Sequence, residues 1–330
     1  MRILVTGAAG FIGYHLCRAL LQDDHEIVGI DNLSPYYDVS LKEARLKQLD
    51  KLQRDKSVCK GHLTFIRGSI SDHVFINQLL AGQSFDIIVN LAAQAGVRAS
   101  EKHVQSYVES NLIGFVNLLE ACRHHPPKHF LFASSSSVYG NSNKEAFGID
   151  DPTDMPVSLY AASKKSNEVI AYSYAHLFRI PCTGMRFFTV YGPWGRPDMA
   201  YYKFTKAIIN QQPIDVYNHG QSLRDFTYID DAVAAVKRLM NKPPDVDEKE
   251  PPYRITNIGN SQPVRLMDFI AALEDLLKIK ADKIFLPPQP GDVISTCADT
   301  TALEKLIGYK PDTDIKQGLE QFVSWYRQYV

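Results

Sequence analysis

The segment from Arg2 to Gly13 constrains the fold of this chain more than any other. A short apolar run, Ile3-Leu-Val5, leads into Thr6-Gly7-Ala-Ala-Gly10-Phe-Ile-Gly13 and then into a helical pattern over 11–22. Strand, glycine turn and helix in that order open a βαβ unit. Glycine permits the tight turn and lets another group approach the backbone closely. The helix that follows presents unpaired amides at its N-terminus, a ready site for an anion such as a pyrophosphate.

The pattern then repeats. Ile27-Val-Gly-Ile30, Leu63-Thr-Phe-Ile66, Ile87-Ile-Val-Asn-Leu91 and Phe130-Leu-Phe132 read as buried parallel strands, with helices over 73–82, 103–125 and 160–178. This predicts an α/β fold with a Rossmann-type doubly wound parallel sheet, whose ligands sit at the carboxyl ends of the strands. Gly7, Asp31, Ala92 and Ser134 to Ser137 all fall there. Asp31 ends the second strand 24 residues after Gly7, where an adenosine ribose would meet it, and its charge repels a 2′-phosphate. NAD is therefore expected over NADP. Beyond about Thr183 the pattern turns irregular and richer in proline. The expected division is a nucleotide-binding domain over 1–182 and a smaller mixed α/β substrate domain over 183–330, with a soft boundary. Tyr36–Leu52 reads as a loop plus an amphipathic helix with a Leu41/Leu46/Leu49/Leu52 stripe, and 243–252 as a solvated loop.

Composition narrows the class. The chain has 330 residues, 45% hydrophobic and 22% charged, enough for a large core, and its net charge of −1 offers no footprint for nucleic acid. Five scattered cysteines without CxxC spacing read as reduced thiols of a cytoplasmic protein. The first strand leaves no room for a signal peptide, and no apolar run approaches the ~18 residues of a membrane span. His124, His125 and His129 read as a solvated helix end, and no metal is expected.

Tyr160 and Lys164 lie four residues apart, on one face of a helix. A tyrosine acting as a base near neutral pH must be lowered by about 3 from its usual ~10, roughly 4 kcal/mol. One positive charge about 4 Å away supplies that at an effective dielectric of ~20. Ser134-Ser-Ser-Ser137 follows a strand, and Ser135 lies 25 residues before Tyr160, so a hydroxyl donor over the reacting carbon is expected. The set reads as a proton-transfer device beside a hydride carrier.

TGAAGFIG, Asp31, NLAAQAGVR (90–98), Asn111, SSSSVYG (134–140), YxxxK and RFFTVYGP (186–193) together resemble the extended short-chain dehydrogenase/reductases. Within them, Tyr36-Tyr-Asp-Val-Ser-Leu-Lys42, Gly192-Pro-Trp-Gly-Arg-Pro-Asp-Met-Ala200 and Gln289-Pro-Gly-Asp-Val293 resemble the UDP-glucuronate 4-epimerases. The resemblance covers essentially the whole chain. It implies that Tyr160 is the base on the 4-hydroxyl, that Lys164 orients the nicotinamide ribose, and that Ser135 and Ser136 bond the sugar oxygen. Gly7, Gly10, Phe11, Ile12, Gly13, Asp31, Asn32, Ser69, Ile70, Leu91, Ala92, Ala93, Asn111 and Phe188 would line the NAD site. Ser69 stands where many relatives carry Asp. Arg224 and Asp292 would meet the UDP phosphate and ribose. Relatives also use the helices corresponding to 103–125 and 160–178 in a four-helix interface, which implies a homodimer.

The resemblance further implies the reaction. Dehydratases place Asp-Glu, and decarboxylases a Glu, before Val-Tyr-Gly, whereas Ser136 and Ser137 stand here, which favours plain epimerisation of a UDP-sugar. A uronate needs a partner for its carboxylate. Thr189, where UDP-glucose epimerases and the decarboxylases usually carry Asn, and Arg196 are the candidates, with Ser137 near the sugar. Arg98 is a further candidate or a loop anchor, and a clamp of its own proline-rich loop is the alternative for Arg196. UDP-glucose 4-epimerase, UDP-glucuronate decarboxylase and a silent NAD-binding scaffold are the alternative readings.

Overall fold

Short apolar runs, too short for helices, become parallel strands of four to seven residues in the computed structural model, which describes all residues except 143, 248, 290–292 and 294. The central strands are buried on both faces, while the edge strand over His62–Arg67 is not. The chain begins β1 (Arg2–Thr6), α1 (Phe11–Leu21), β2 (Glu26–Asp31), α2 (Val39–Arg54), β3 (His62–Arg67), α3 (His73–Gly82) and β4 (Ile87–Asn90). Next come α4 (Val104–Tyr107), a π-helical turn over Val108–Ile113, α5 (Gly114–His124), β5 (His129–Ser135), α6 (Leu159–Phe178), β6 (Cys182–Phe187) and β7 (Thr189–Tyr191). The remainder is α7 (Ala200–Ile209), β8 (Ile214–Val216), β9 (Leu223–Tyr228), α8 (Ile229–Met240), β10 (Tyr253–Ile258), β11 (Pro263–Arg265), α9 (Leu266–Leu277), β12 (Lys283–Phe285), α10 (Thr301–Ile307) and α11 (Ile315–Tyr329).

Seven strands form one parallel sheet in the order β10-β6-β5-β4-β1-β2-β3. The order reverses between β1 and β4, and a ligand crevice opens at that switch point. Side-chain caps start several of the flanking helices: Asp38 accepts from the Ser40 amide, Asp72 from Phe75 and Ser158 from Ala161. One face of the sheet is covered by α1, α2 and α8, through Leu16, Leu20, Leu49 and Val236. The other is covered by α3, α5 and α6, through Leu80, Phe115, Leu118 and Ala171. A separate core of Tyr191, Tyr201, Phe226, Phe269, Leu273 and Phe322 builds the second lobe on small sheets, β11-β9-β7 and β12-β8.

Two features depart from the pattern read in the sequence. The helix expected over 103–125 runs from Val104 to His124 but carries a π turn over Val108–Ile113. His129 is not at a solvated helix end: it lies in β5, buried between Thr183 Oγ1 (2.8 Å) and the Met240 carbonyl (3.2 Å), and burial lowers its pKa to about 4. His124 and His125 are exposed. All five cysteines are buried and free. Among the described residues no helix is long and apolar enough to cross a membrane.

Candidate active site

A cavity of about 370 Å³ runs along the carboxyl ends of β1, β2, β4, β5 and β6. At one end lies the glycine turn. Gly7 takes φ +68°, and a Cβ there would meet the Ala92 amide nitrogen at 2.8 Å. A Cβ on Gly13 would stand 2.1 Å from the Gly7 carbonyl oxygen, so α1 could not pack this close with any other residue. No side chain caps α1 at Gly10, and its first amides are left for an anion at the cavity wall. The buried Asp31 carboxylate accepts from the amides of Leu33 (2.8 Å) and Ala9 (3.2 Å) and from Lys42 Nζ (3.2 Å). Asn32, Ser69, Ile70, Leu91, Ala92 and Ala93 complete this end. An uncapped helix start, a buried acid and a wall of small side chains fit a dinucleotide.

In the middle stand Ser135, Ser136, Tyr160 and Lys164. Tyr160 and Lys164 share the face of α6 that the i, i+4 spacing dictates. Desolvation raises the Tyr160 phenol above its ordinary value, opposed by a hydrogen bond with Ser135 and by the charge of Arg196. Lys164 Nζ donates to the Ala133 carbonyl at 2.8 Å, and burial lowers its pKa to about 8. That bond anchors the ammonium to β5 with one of its three donors, while the phenol also feels the opposed charges of Arg196 and Asp198, which spacing alone did not reveal. Ser134 points the other way. Its hydroxyl donates to Glu168 (2.6 Å), which is forked by Arg186 at 2.8 and 2.9 Å in the core beneath.

Asn111 sits in the π turn just behind. Its Oδ1 accepts from the Gln94 amide (2.8 Å), and its Nδ2 donates to the Gln94 carbonyl and to Ser163 Oγ, both at 3.0 Å. Ser163 Oγ in turn donates to the Tyr160 carbonyl at 2.8 Å. The Asn111 carbonyl, within the π turn, accepts from Asn167 Nδ2 at 2.6 Å. Asn111 thus braces the loop after β4 against the Tyr160 helix.

Phe188, Thr189 and Arg196 close the far end beside Ser137. Arg196 grips Asp198 through Nε (3.0 Å) and Nη2 (2.5 Å), and Tyr36 donates to the same carboxylate at 3.2 Å. Against the cost of burial, that pairing holds the Arg196 pKa above and the Asp198 pKa below their ordinary values. Two further candidates lie elsewhere. Arg98 stacks over the Tyr217 ring of the second lobe, 4.7 Å from its centroid. Arg224 donates to the Leu223 carbonyl at 2.8 Å. Asp292 lies outside the described residues.

Residues 3–259 match the model of the NAD dependent epimerase/dehydratase family. The chain belongs to that family. It is 44% identical to a probable UDP-glucuronate 4-epimerase of Rhizobium meliloti, over 99% of this chain and 97% of the relative. It is also 44% identical to UDP-glucuronate 4-epimerase 4 of Arabidopsis thaliana, over 99% of this chain and 75% of that one. Among solved structures it is similar to the UDP-glucuronic acid 4-epimerase of Bacillus cereus in complex with UDP-glucuronic acid and NAD. That similarity has 35% identity, a TM-score of 0.90 and full coverage of both chains.

For a member of the epimerase/dehydratase family, the sequence reading missed several wall residues. Lys42, Tyr36, Tyr37, Gln94 and Met199 also line the cavity. Lys42 carried a usable signal, being a lysine on the apolar side of α2 one residue after Leu41. Gln94 and Met199 carried none, since they reach the cavity only through the paths of their loops.

Proposed function

We propose that this protein interconverts the C4 epimers of UDP-glucuronate with NAD as its cofactor. The observation that carries the reading is one cavity joining an uncapped helix and Asp31 at one end to Ser135, Tyr160 and Lys164, and then to Thr189 and Arg196. The first lobe holds the dinucleotide and the second the nucleotide sugar. The glycine turn of 7–13 takes the pyrophosphate, while Asp31 and Lys42 take the adenosine ribose. When bound, NAD supplies a hydride acceptor that returns the hydride and a positive ring that favours a nearby phenolate.

Tyr160, as phenolate, removes the proton of the 4-hydroxyl while the Ser135 hydroxyl bonds the same oxygen and Ser136 flanks it. Lys164 orients the nicotinamide ribose. The sugar, now a 4-keto uronate, turns over within the cavity, and Tyr160 returns the proton to the 4-oxygen on the opposite stereochemistry. Thr189 and Arg196 hold the carboxylate, with Ser137 beside them, and Arg224 and Asp292 serve the UDP end. Such a ketone is a β-keto acid that loses carbon dioxide when its C–CO₂ bond aligns with the carbonyl π system. The carboxylate must therefore be held out of that alignment.

A second reading, UDP-glucose 4-epimerase, is favoured by one observation: Arg196 already has a carboxylate, Asp198, in its fork. A cytoplasmic homodimer completes the proposal. The homodimer is supported by the exposed apolar residues Ile113 and Val116, near and on α5, and Val169, Tyr172 and Leu177 on α6.

Proton NMR of the purified protein with UDP-glucuronate and, separately, UDP-glucose, without added NAD, tests these readings. UDP-galacturonate from the first alone is expected. UDP-galactose from the second would favour the neutral-sugar reading, and a UDP-pentose would favour decarboxylation. No product, even with added NAD, would overturn catalysis.

A further inference from the structure

The guanidinium of Arg45, on α2, is fully buried, and each of its five N–H groups is matched to an acceptor. Nη1 donates to the Ala9 carbonyl (2.9 Å) and the Tyr37 hydroxyl (2.7 Å). Nε and Nη2 both donate to the Trp194 carbonyl (3.1 and 2.6 Å), and Nη2 also reaches the Gly195 carbonyl (3.3 Å). These acceptors are neutral and come from three separate segments: the glycine turn, the loop before α2, and the loop that delivers Arg196. A second clamp lies next to the first. His15 of α1, whose burial lowers its pKa to about 3, donates from Nε2 to the Pro193 carbonyl at 2.9 Å. Three successive carbonyls of the Arg196 loop are thus held by residues of the nucleotide lobe.

The loop needs such holding. Trp194 has φ +60°, a left-handed conformation that is unfavourable for a bulky residue and persists only where its surroundings enforce it. Arg196 follows two residues later and enters the cavity. Its distance from Tyr160 therefore depends on where the Trp194 and Gly195 carbonyls are fixed. Arg45 fixes them against Ala9, inside the turn at the dinucleotide end.

We propose that Arg45 is a positioning residue that registers the Arg196 loop to the glycine turn and so sets the affinity for the sugar carboxylate. The second clause rests on the uronate reading above; the first does not. A lysine keeps the charge but has three donors at one point and cannot span the three segments.

The chain has two tryptophans, so in a Trp325→Phe background Trp194 is the sole indole and reports the loop directly. In that background Arg45→Lys is expected to raise acrylamide quenching of Trp194 at least about twofold, because the carbonyls it leaves are no longer pinned. Titration calorimetry should show UDP-glucuronate binding weakened about tenfold, while UDP binding and retained NAD stay within about twofold. Adding Arg45→Lys to Arg196→Ala should then cost little more than Arg196→Ala alone.

Unchanged Trp194 quenching would overturn the positioning role. So would equal losses for UDP and UDP-glucuronate, or additive losses in the double variant, because those outcomes describe a merely structural arginine. If the parent protein binds UDP-glucose as tightly as UDP-glucuronate, the uronate reading fails, and the quenching result still decides the role of Arg45. Should Arg45→Lys not fold, Tyr37→Phe removes a single acceptor of the same clamp and should raise Trp194 quenching in the same direction; no rise would overturn the role.

Discussion

The guanidinium of Arg196 is held by Asp198 at 3.0 and 2.5 Å while it faces the cavity, so a uronate adds to an existing pair. An arginine fork can serve two carboxylates at once because it has five donors, whereas an alanine leaves Asp198 without its cation. Arg196→Ala is expected to weaken UDP-glucuronate binding about tenfold or more, the scale of one charge-assisted hydrogen bond. Thr189→Asn should act on the same group and release some UDP-pentose, because a misheld carboxylate can align with the ketone. Calorimetry and NMR product analysis check both variants; unchanged affinity with clean product in each would refute the assignment.

Lys164 gives a pH test. Burial lowers it to about 8 from an ordinary 10.5. Between those values the unfolded chain binds more protons than the folded one, so this residue's contribution to stability rises with pH across that window. Below pH 8 the desolvation cost is fully present. Relative to Lys164→Met, the NAD-free wild type should therefore gain on the order of 3 kcal/mol between pH 7 and pH 10.5. Urea midpoints of both proteins at the two pH values measure it, and a flat difference would count against the buried ammonium.

At the scale of elements, what was legible followed periodicity. The strand-turn-helix start, the five apolar runs and the α6 face of Tyr160 and Lys164 all depend on local spacing, and the structure places them accordingly. The π turn was not legible, because one extra residue in a helix leaves the apolar pattern nearly intact. Nor were the contacts made by the apolar side of α2, where Lys42 and Arg45 are buried beside Leu41 and Leu49. Their partners, Asp31, Ala9 and Trp194, are distant in sequence. Asn111 shows what the π turn contributes. Asn111→Ala would leave the amide and carbonyl of Gln94 and the Ser163 hydroxyl without this partner. It is expected to cost roughly 1–3 kcal/mol in urea unfolding and to lower retained NAD. A variant that keeps both stability and NAD would show the brace to be dispensable.

At the scale of the whole molecule the chain does not divide at one point. β6 begins at Cys182, β10 returns at Tyr253 to pair beside it, and α8 packs on α1, so the nucleotide lobe closes only with segments from the second half. Periodicity cannot show which distant strand completes a sheet. The remaining surface question concerns assembly. On α6, Val169, Tyr172 and Leu177 are 57%, 49% and 63% exposed, and Ile113 and Val116, on the neighbouring π turn and α5, are 45% and 37% exposed. Apolar residues clustered on two adjacent helices mark an interaction surface more often than a solvated one. Packed against a second copy about a two-fold axis, each helix pair would meet its own image and bury the patch from both sides. A charge placed there must be desolvated twice in the dimer and not at all in the monomer. Val169→Asp with Leu177→Asp is therefore expected to turn a mass of twice the 37.2 kDa chain into a single one by light scattering, with near-native circular dichroism. A wild type that already runs as a monomer would refute the dimer, and a double variant that stays dimeric would move the interface to another face.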